Sequence, residues 1–452
     1  MSDTPRNSLK SRRDFISQSS LAVAGAGLAL NLGPAQAAPS RFVHGGADET
    51  IKIGVVGCGG RGTGAAQQAL STEGPVKLVA MGDAFEDSVE NAFKNLSKGG
   101  GKGKNNQTDG SANERIDCPK ERRFFGLDAY KKVLECDVDL VILATPPGYR
   151  PVHFEAAIAA GKHVFMEKPV AVDGPGVRRV LAAVAESKKK NLGVGVGLQR
   201  HHQKSYQETI ARLQDGAIGD IITGRAYWCG SGVWDPRVTR DQVKSDMEYQ
   251  VRNWYYYNWL CGDQICEQHI HNIDVINWVK NDHPVSALGW GGREVRIDPK
   301  YGEIYDHTAV EFVYGDGSRM FSYGRHIPNC WNSVSEAVHG TKGTAQIDRG
   351  QINPTGGEAW SYRGKNDGNP YQVEHDVLQA SIRAGKPINE GENGAHSTMT
   401  SILGRMACYG GKEVKWDDGL NSKIVQGPYD SLSWDTAVPT PTVAVPGQSK
   451  VV

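Results

Sequence analysis

An excess of charge of either sign is missing: 51 Lys and Arg stand against 51 Asp and Glu. A nucleic-acid-binding chain normally shows a basic surplus, so no nucleic-acid partner is expected. Cysteine is scarce too, eight in 452 residues, with no C-x-x-C or zinc-ribbon spacing. That excludes a disulfide scaffold and a structural zinc site. A single Cys261–Cys266 bridge stays open, and most of the others read as buried thiols. Long apolar runs are also absent: the run over residues 21–32 is well short of the ~20 residues that span a bilayer. What remains is a mixed composition, 23% charged, long enough for two or three globular domains.

The N-terminal end reads as a targeting segment. Ser11-Arg12-Arg13-Asp14-Phe15-Ile16 precedes the apolar run, and Ala35-Gln36-Ala37 follows it. A basic region, a short hydrophobic region and a small-x-small site in that order describe a signal peptide over residues 1–37. The paired arginines point to the twin-arginine export machinery and an exported, periplasmic protein. An uncleaved membrane-anchoring helix is the alternative. Twin-arginine export moves folded proteins, often because a cofactor is inserted beforehand.

From residue 50 the chain alternates. Short apolar strands at 51–56, 76–81, 138–144, 163–166 and 192–198 interleave with helical stretches, the grammar of a parallel sheet covered on both faces. Residues 97–114, rich in Gly, Lys, Asn and Ser, read as a solvated, disordered insertion. Beyond residue 200 strands follow strands, at 221–229, 286–291, 308–314, 318–323 and 333–339, with a hairpin signal at Gly315-Asp316-Gly317. Helices are expected at 274–279 and 375–384. The fold class is α/β: a Rossmann dinucleotide-binding domain over 50–172, then an α+β domain over 173–430 with a large open, mostly antiparallel sheet. A proline-containing flexible tail covers 436–452.

Gly57-x-Gly59-x-x-Gly62 is weak alone in a glycine-rich chain, but here it follows a strand and opens a helix. Glycines there allow a tight turn and close approach to a pyrophosphate seated on helix N–H groups, so Gly57, Gly59, Gly60, Arg61 and Gly62 are expected at the cofactor. Asp83 ends the next strand, where its carboxylate would accept from ribose hydroxyls and repel a 2′-phosphate. NAD(H) is therefore favoured, with NADP(H) left open because Arg61 could neutralise a phosphate.

Thr145-Pro146 ends the 138–144 strand, and Met166-Glu167-Lys168-Pro169 ends the 163–166 strand. With these motifs the chain resembles the glucose–fructose oxidoreductase, inositol dehydrogenase and MocA-type family from about Lys52 to about Trp416, the Glu-Lys-Pro triplet being the most specific element. The resemblance implies that Thr145, Pro146, Glu167 and Lys168 adjoin the cofactor. It also implies that Lys168 stands beside the nicotinamide and the reacting carbinol, and that Pro169 follows a cis bond. A lysine at a strand's carboxyl end can orient an alcohol oxygen and stabilise its developing negative charge.

The family also carries Asp-x-x-x-His-x-x-Asp on a helix after a glycine-rich turn. Here Glu267, His271 and Asp274 occupy those positions, and His269 replaces a residue often glycine. Glu267 and His271, four apart, would share one helix face, with His271 as base and Glu267 orienting it or binding a neighbouring hydroxyl. Asp274 and His269 are expected at the substrate. A metal site from Glu267, His269 and His271 is set aside, because helix residues two apart point to roughly opposite sides. Trp254-Tyr255-Tyr256-Tyr257-Asn258-Trp259 cannot all face one core, so Tyr257 is placed against a sugar ring, with packing between domains or subunits as the alternative.

The expectation is an oxidoreductase acting on the CH–OH group of a sugar, sugar derivative or cyclitol. Since the periplasm holds no free nicotinamide pool, the cofactor must be tightly bound. An NAD-dependent glycoside hydrolase working by transient oxidation and elimination is the alternative, and a non-catalytic sugar sensor a weaker one. The resemblance further implies a homo-oligomer, dimer or tetramer.

Overall fold

The computed structural model describes residues 49–98, 114–365, 367–430 and 432–452. The signal-peptide reading and nearly all of the 97–114 insertion lie outside them.

Six parallel strands form the first sheet: β1 (Ile51–Val56), β2 (Val76–Asp83), β3 (Arg123–Phe125), β4 (Leu140–Leu143), β5 (His163–Met166) and β6 (Val194–Val196), in the order β3-β2-β1-β4-β5-β6. Three of these strands, β4, β5 and β6, are buried along their whole length, and β1 at all but one residue, as a sheet covered on both faces requires. For β1 the exception is Lys52, which reaches the surface. Helices α1 (Gly60–Leu70), α2 (Glu86–Ser97), α3 (Ala129–Glu135), α4 (Arg150–Ala159) and α5 (Gly174–Lys189) connect them. The strand order reverses between β1 and β4, and ligands of such sheets bind outside the strands' carboxyl ends at that switch point. Because α5 and β6 complete this sheet, the first domain runs to Val196 rather than to residue 172.

The second sheet has nine strands: β7 (Ile221–Gly230), β8 (Pro284–Gly292), β9 (His307–Tyr314), β10 (Arg319–His326), β11 (Ser333–Gly340), β12 (Gly343–Gln346), β13 (Gln351–Pro354), β14 (Trp360–Ser361) and β15 (Val414–Lys415), in the order β14-β13-β12-β11-β7-β10-β9-β8-β15. It is antiparallel except where β7 meets β10. Between β7 and β8 run four short helices, α6 (Asp246–Arg252), α7 (Asn258–Cys261), α8 (Gln264–Glu267) and α9 (Ile270–Lys280); α10 (Pro370–Arg383) and α11 (Gly391–Gly410) follow β14.

The helix α11 is absent from the sequence-based expectation. Its run of Gly, Ser and Thr has low helix propensity and no clear stripe, because the helix is buried nearly all round. Small residues let it approach its neighbours: a Cβ on Gly394 would lie 2.9 Å from Val196, and one on Gly404 2.7 Å from Phe312. Cys261 and Cys266 are buried free thiols, so no bridge joins them. Residues 436–452 form no helix or strand, yet they are tied down: Gln250 donates to the Pro439 carbonyl, Tyr305 to that of Ala444, and the Thr442 amide to Glu303. The expected tail is therefore a strap along the body.

Candidate functional site

The three motif glycines answer to three different demands. Gly57 has φ +96°, and a Cβ there would fall 2.5 Å from the Ala144 backbone, so the turn after β1 passes directly beside the end of β4. A Cβ on Gly62 would fall 1.8 Å from the Gly57 carbonyl, which is what holds α1 tight against the turn. Nothing stands within 4 Å of a Cβ built on Gly59 or Gly60, and Gly59, the cap of α1, has no side chain to occupy the helix N–H groups. That open, positively polarised helix end fits a pyrophosphate.

Asp83 closes the far side. Its carboxylate accepts from the Cys58 amide at 2.7 Å and the Phe85 amide at 3.0 Å, and burial pushes its pKa up against those bonds. With Gly57, Gly59, Thr145, Pro146 and Tyr149 it lines a cavity of about 370 Å³. Arg61 does not serve this end. Its Nε lies 3.1 Å from Glu167, its Nη2 bonds Gln68 at 2.5 Å, and its guanidinium lies over Tyr371. The cation that left NADP(H) open is thus held at the opposite end from Asp83. Asp83→Ala should weaken NAD binding by roughly tenfold, the cost of charge-assisted hydrogen bonds worth ~1.5–3 kcal/mol less what water returns. Titration of the purified protein with NAD checks this, and unchanged affinity would place the ribose elsewhere.

The outer wall of this cavity comes from the second domain. Arg237, Val238, Val251, Arg252 and Trp254 face Asp83, Phe85 and Pro146 across it. Asn253, fully buried, holds the two halves of this wall together: its Oδ1 accepts from the Arg237 and Val238 amides, and its Nδ2 donates to the Val238 carbonyl.

A second cavity, about 350 Å³, shares Ala144, Thr145 and Trp254 with the first. Lys168, at the end of β5, donates to the Glu267 backbone carbonyl and stands 3.2 Å from Glu267 Oε1. The Lys168–Pro169 bond is cis, as the resemblance implies. Glu267 is buried; burial raises its pKa and the Lys168 ammonium pulls it back. His271 lies on the same wall with its ring 6.0 Å from Trp228. Burial, with the positive charges of Lys168 and Arg200, drives its pKa well below the ordinary 6.5. The imidazole is then neutral at pH 7, and its Nδ1 has no hydrogen-bond partner among the described residues. A neutral imidazole and an ammonium facing one space can take a proton from an alcohol and hold the resulting oxygen.

Several expectations need correction. Glu267 and His271 do not share a continuous helix, since α8 ends at Glu267 and α9 starts at Ile270. They reach the same wall across the break, and Glu267 bonds Lys168 and Gln268 rather than the histidine. His269 faces the second sheet, bonded to Ser322 Oγ at 2.7 Å and away from both cavities. Asp274 is buried behind the wall, holding His201 at 2.8 Å, Ser397 at 2.7 Å and Asn393 at 3.2 Å. Tyr257 is buried in an aromatic cluster with Tyr249, and the residue of that run that reaches both cavities is Trp254.

Gln199, Arg200, Trp228, Gln268 and Tyr371 line the second cavity without having been anticipated. Arg200 stands 2.6 Å from Glu336, which also accepts from Tyr206 and Asn272. A signal for Gln199-Arg200 existed, since this polar pair follows an apolar strand at its carboxyl end. Trp228 and Tyr371 come from distant segments and had none.

Residues 51–196 match the Gfo/Idh/MocA family, described as an oxidoreductase family with an NAD-binding Rossmann fold. The chain is 25% identical over 302 residues to an inositol 2-dehydrogenase of Rhizobium meliloti (strain 1021), covering 66% of this chain and 76% of that one. Among solved structures, the aldose-aldose oxidoreductase of Caulobacter crescentus superimposes with a TM-score of 0.60 at 20% identity, over 81% of this chain and 100% of the other. The scyllo-inositol dehydrogenase of Lactobacillus casei, solved with NAD(H) and scyllo-inositol, gives 0.60 at 20% identity over 81% and 99%. At that identity the two structures speak to the fold.

Proposed function

We propose that this chain, whose residues 51–196 match the Gfo/Idh/MocA oxidoreductase family, is an NAD(H)-dependent oxidoreductase acting on a CH–OH group of a sugar, sugar derivative or cyclitol. The observation that carries this reading is the convergence of Lys168, Glu267 and His271 on a cavity that shares Thr145 and Trp254 with the cavity beside Asp83 and the glycine turn.

The bound nicotinamide supplies the hydride acceptor. His271 accepts the hydroxyl proton, and Lys168 holds the oxygen as charge develops on it. Glu267 anchors Lys168 and, when ionised, offers its remaining capacity to a neighbouring hydroxyl. Trp228 and Trp254 give the polyol apolar ring faces.

Tight retention of the cofactor is part of the proposal, and the wall from Arg237 to Trp254 supports it. Asn253→Ala should leave buried amides unpaired at about 1–3 kcal/mol, so NAD should dissociate roughly 5- to 150-fold faster. Stopped-flow release of bound NADH measures this, and an unchanged rate would remove the wall from the account. Export through the twin-arginine route rests on the sequence of residues 1–37. Self-association is supported by Trp290 and Trp331, more than 60% exposed beside the second sheet's open face.

The test uses protein purified without added cofactor, with nicotinamide absorbance followed as myo-inositol, scyllo-inositol, D-glucose and aryl glycosides are added singly. Lasting NADH with one polyol meets the proposal. Aglycone release without lasting NADH would replace it with the hydrolase reading. Failure to hold or take up any nucleotide would end it.

A further inference from the structure

Alcohol oxidation leaves a proton as well as a hydride, and the pocket must dispose of it. The groups closest to the chemistry have little contact with solvent: Lys168 and Glu267 have side chains only 10% and 11% exposed, and His271 is buried. On the inner side of the pocket lies Glu167, whose Oε1 pairs with Arg61 Nε. Its Oε2 lies against β6, where a Cβ on Gly197 would come within 2.5 Å of it.

Behind that wall α10 carries Glu374, one turn beyond the cavity-lining Tyr371. Glu374 is 2% exposed, and neither of its carboxyl oxygens has a hydrogen-bond partner among the described residues. Burial, then the charge of Glu167, raise its pKa well above the ordinary carboxyl value, with Arg61 opposing and Glu390 adding to the rise. A buried carboxyl with no partner is costly when ionised, so it is kept neutral, with a proton on it.

Glu390 stands on the other side of β6. Its Oε2 accepts from the Val196 amide at 2.9 Å and its Oε1 lies 2.9 Å from His202 Nε2. Its side chain is 25% exposed and lines a third cavity, about 220 Å³, with His201, Asn389 and Asn393. Glu167, Glu374 and Glu390 therefore run from the reaction cavity, around the end of β6, to a separate cavity on its far side. The other titratable groups around Glu374 are Arg61, Tyr371, Arg200, His202 and the adjacent His375, whose ring nitrogens also lack partners among the described residues.

We propose that Glu374 and Glu390 form the exit for the substrate proton, carrying it from Glu167 around β6 to the third cavity. The inference rests on the oxidoreductase reading above. In the balanced step the carbinol C–H pair leaves as hydride to NAD, and the O–H bond breaks with its proton going to His271. His271 passes that proton across the pocket to Glu167. Glu374 gives its own proton to Glu390 and takes the one from Glu167, water bridging the longer gaps. Glu390 and His202 deliver it to the third cavity, and every carboxyl ends as it began. Glu374 is a relay residue that does not touch the substrate.

Glu374→Gln keeps the shape of the neutral acid and removes the exchangeable proton. Infrared difference spectra of ligand-free wild type and variant at pH 7 should show a protonated-carboxyl band in the wild type alone. In single turnovers with the polyol that reduces bound NAD, an indicator dye should show proton release in step with NADH in the wild type. In E374Q release should lag by about tenfold or more, with KM and NAD content unchanged. Glu390→Gln should keep the infrared band and produce the same lag, and it decides the matter if E374Q does not fold. Absence of the band, or release in step with NADH in both variants, overturns the relay. Since the band needs no substrate, its presence in a protein that oxidises no polyol would indict the functional reading rather than the protonated Glu374.

Discussion

His271→Ala should slow reduction of bound NAD by about 10²- to 10⁴-fold, the range removal of a positioned general base commonly covers, while NAD content stays at the wild-type level. The imidazole faces the reaction cavity, and its Nδ1 meets no described hydrogen-bond partner. Its folded pKa is depressed, by burial first and by Lys168 and Arg200 next. The sign of the pH dependence follows. The base form persists below pH 6.5, so the acid limb of kcat/KM should lie below that value and disappear in the variant. The same depression makes the unfolded chain bind protons more strongly, so this group's contribution to stability is present above pH 6.5 and is lost as pH falls. A decrease smaller than tenfold, or an acid limb at 6.5, would remove His271 from the base role.

Lys168→Met should cost about 10²- to 10³-fold in the same rate, as loss of one preorganised donor to a developing oxyanion does. Methionine keeps most of the aliphatic stem and removes the ammonium. The variant has a second, independent signature. Lys168 is the main group holding down the raised pKa of Glu267, so without it the buried carboxyl takes up a proton at a higher pH. The pH profile of Lys168→Met should therefore change shape as well as height. A variant with full activity, or one that merely binds polyol more weakly at unchanged kcat, would show that Lys168 has no part in the chemical step.

The parts of this molecule that were legible in the sequence are those whose cause is local. Gly57, Gly59 and Gly62 sit where a backbone must turn or approach, and Asp83 closes the strand beside them. Both features are written within one βαβ unit. The Glu-Lys-Pro triplet at a strand end was legible through the family resemblance it carries, with the cis bond as part of what that resemblance implies. Asp274 and His269, placed by the family motif, and Tyr257, placed by the run of aromatics, lie away from both cavities, because neither motif position nor composition says what a side chain packs against. A break at Gln268–His269 turned one histidine toward Ser322 and left its neighbour His271 in the pocket. The helix Gly391–Gly410 was hidden because burial on all sides erases the periodic stripe. Trp228, Tyr371 and the wall at Arg237–Trp254 come together only through tertiary contacts among distant segments.

That wall has a consequence for heat. Val251 is part of a buried cluster with Tyr249, Tyr255, Tyr256 and Trp259, and Trp234, Val238, Trp254 and Trp434 pack against it. Swinging the wall outward would expose this aromatic surface to water, so release of the dinucleotide by that route would be a partial melting event rather than a simple departure. Exchange of bound NAD should accelerate on warming as unfolding rates do, about three- to sixfold per 10 °C. Under the export proposed above, with no replacement nucleotide at hand, loss of the wall alone would be enough to set the protein's working ceiling.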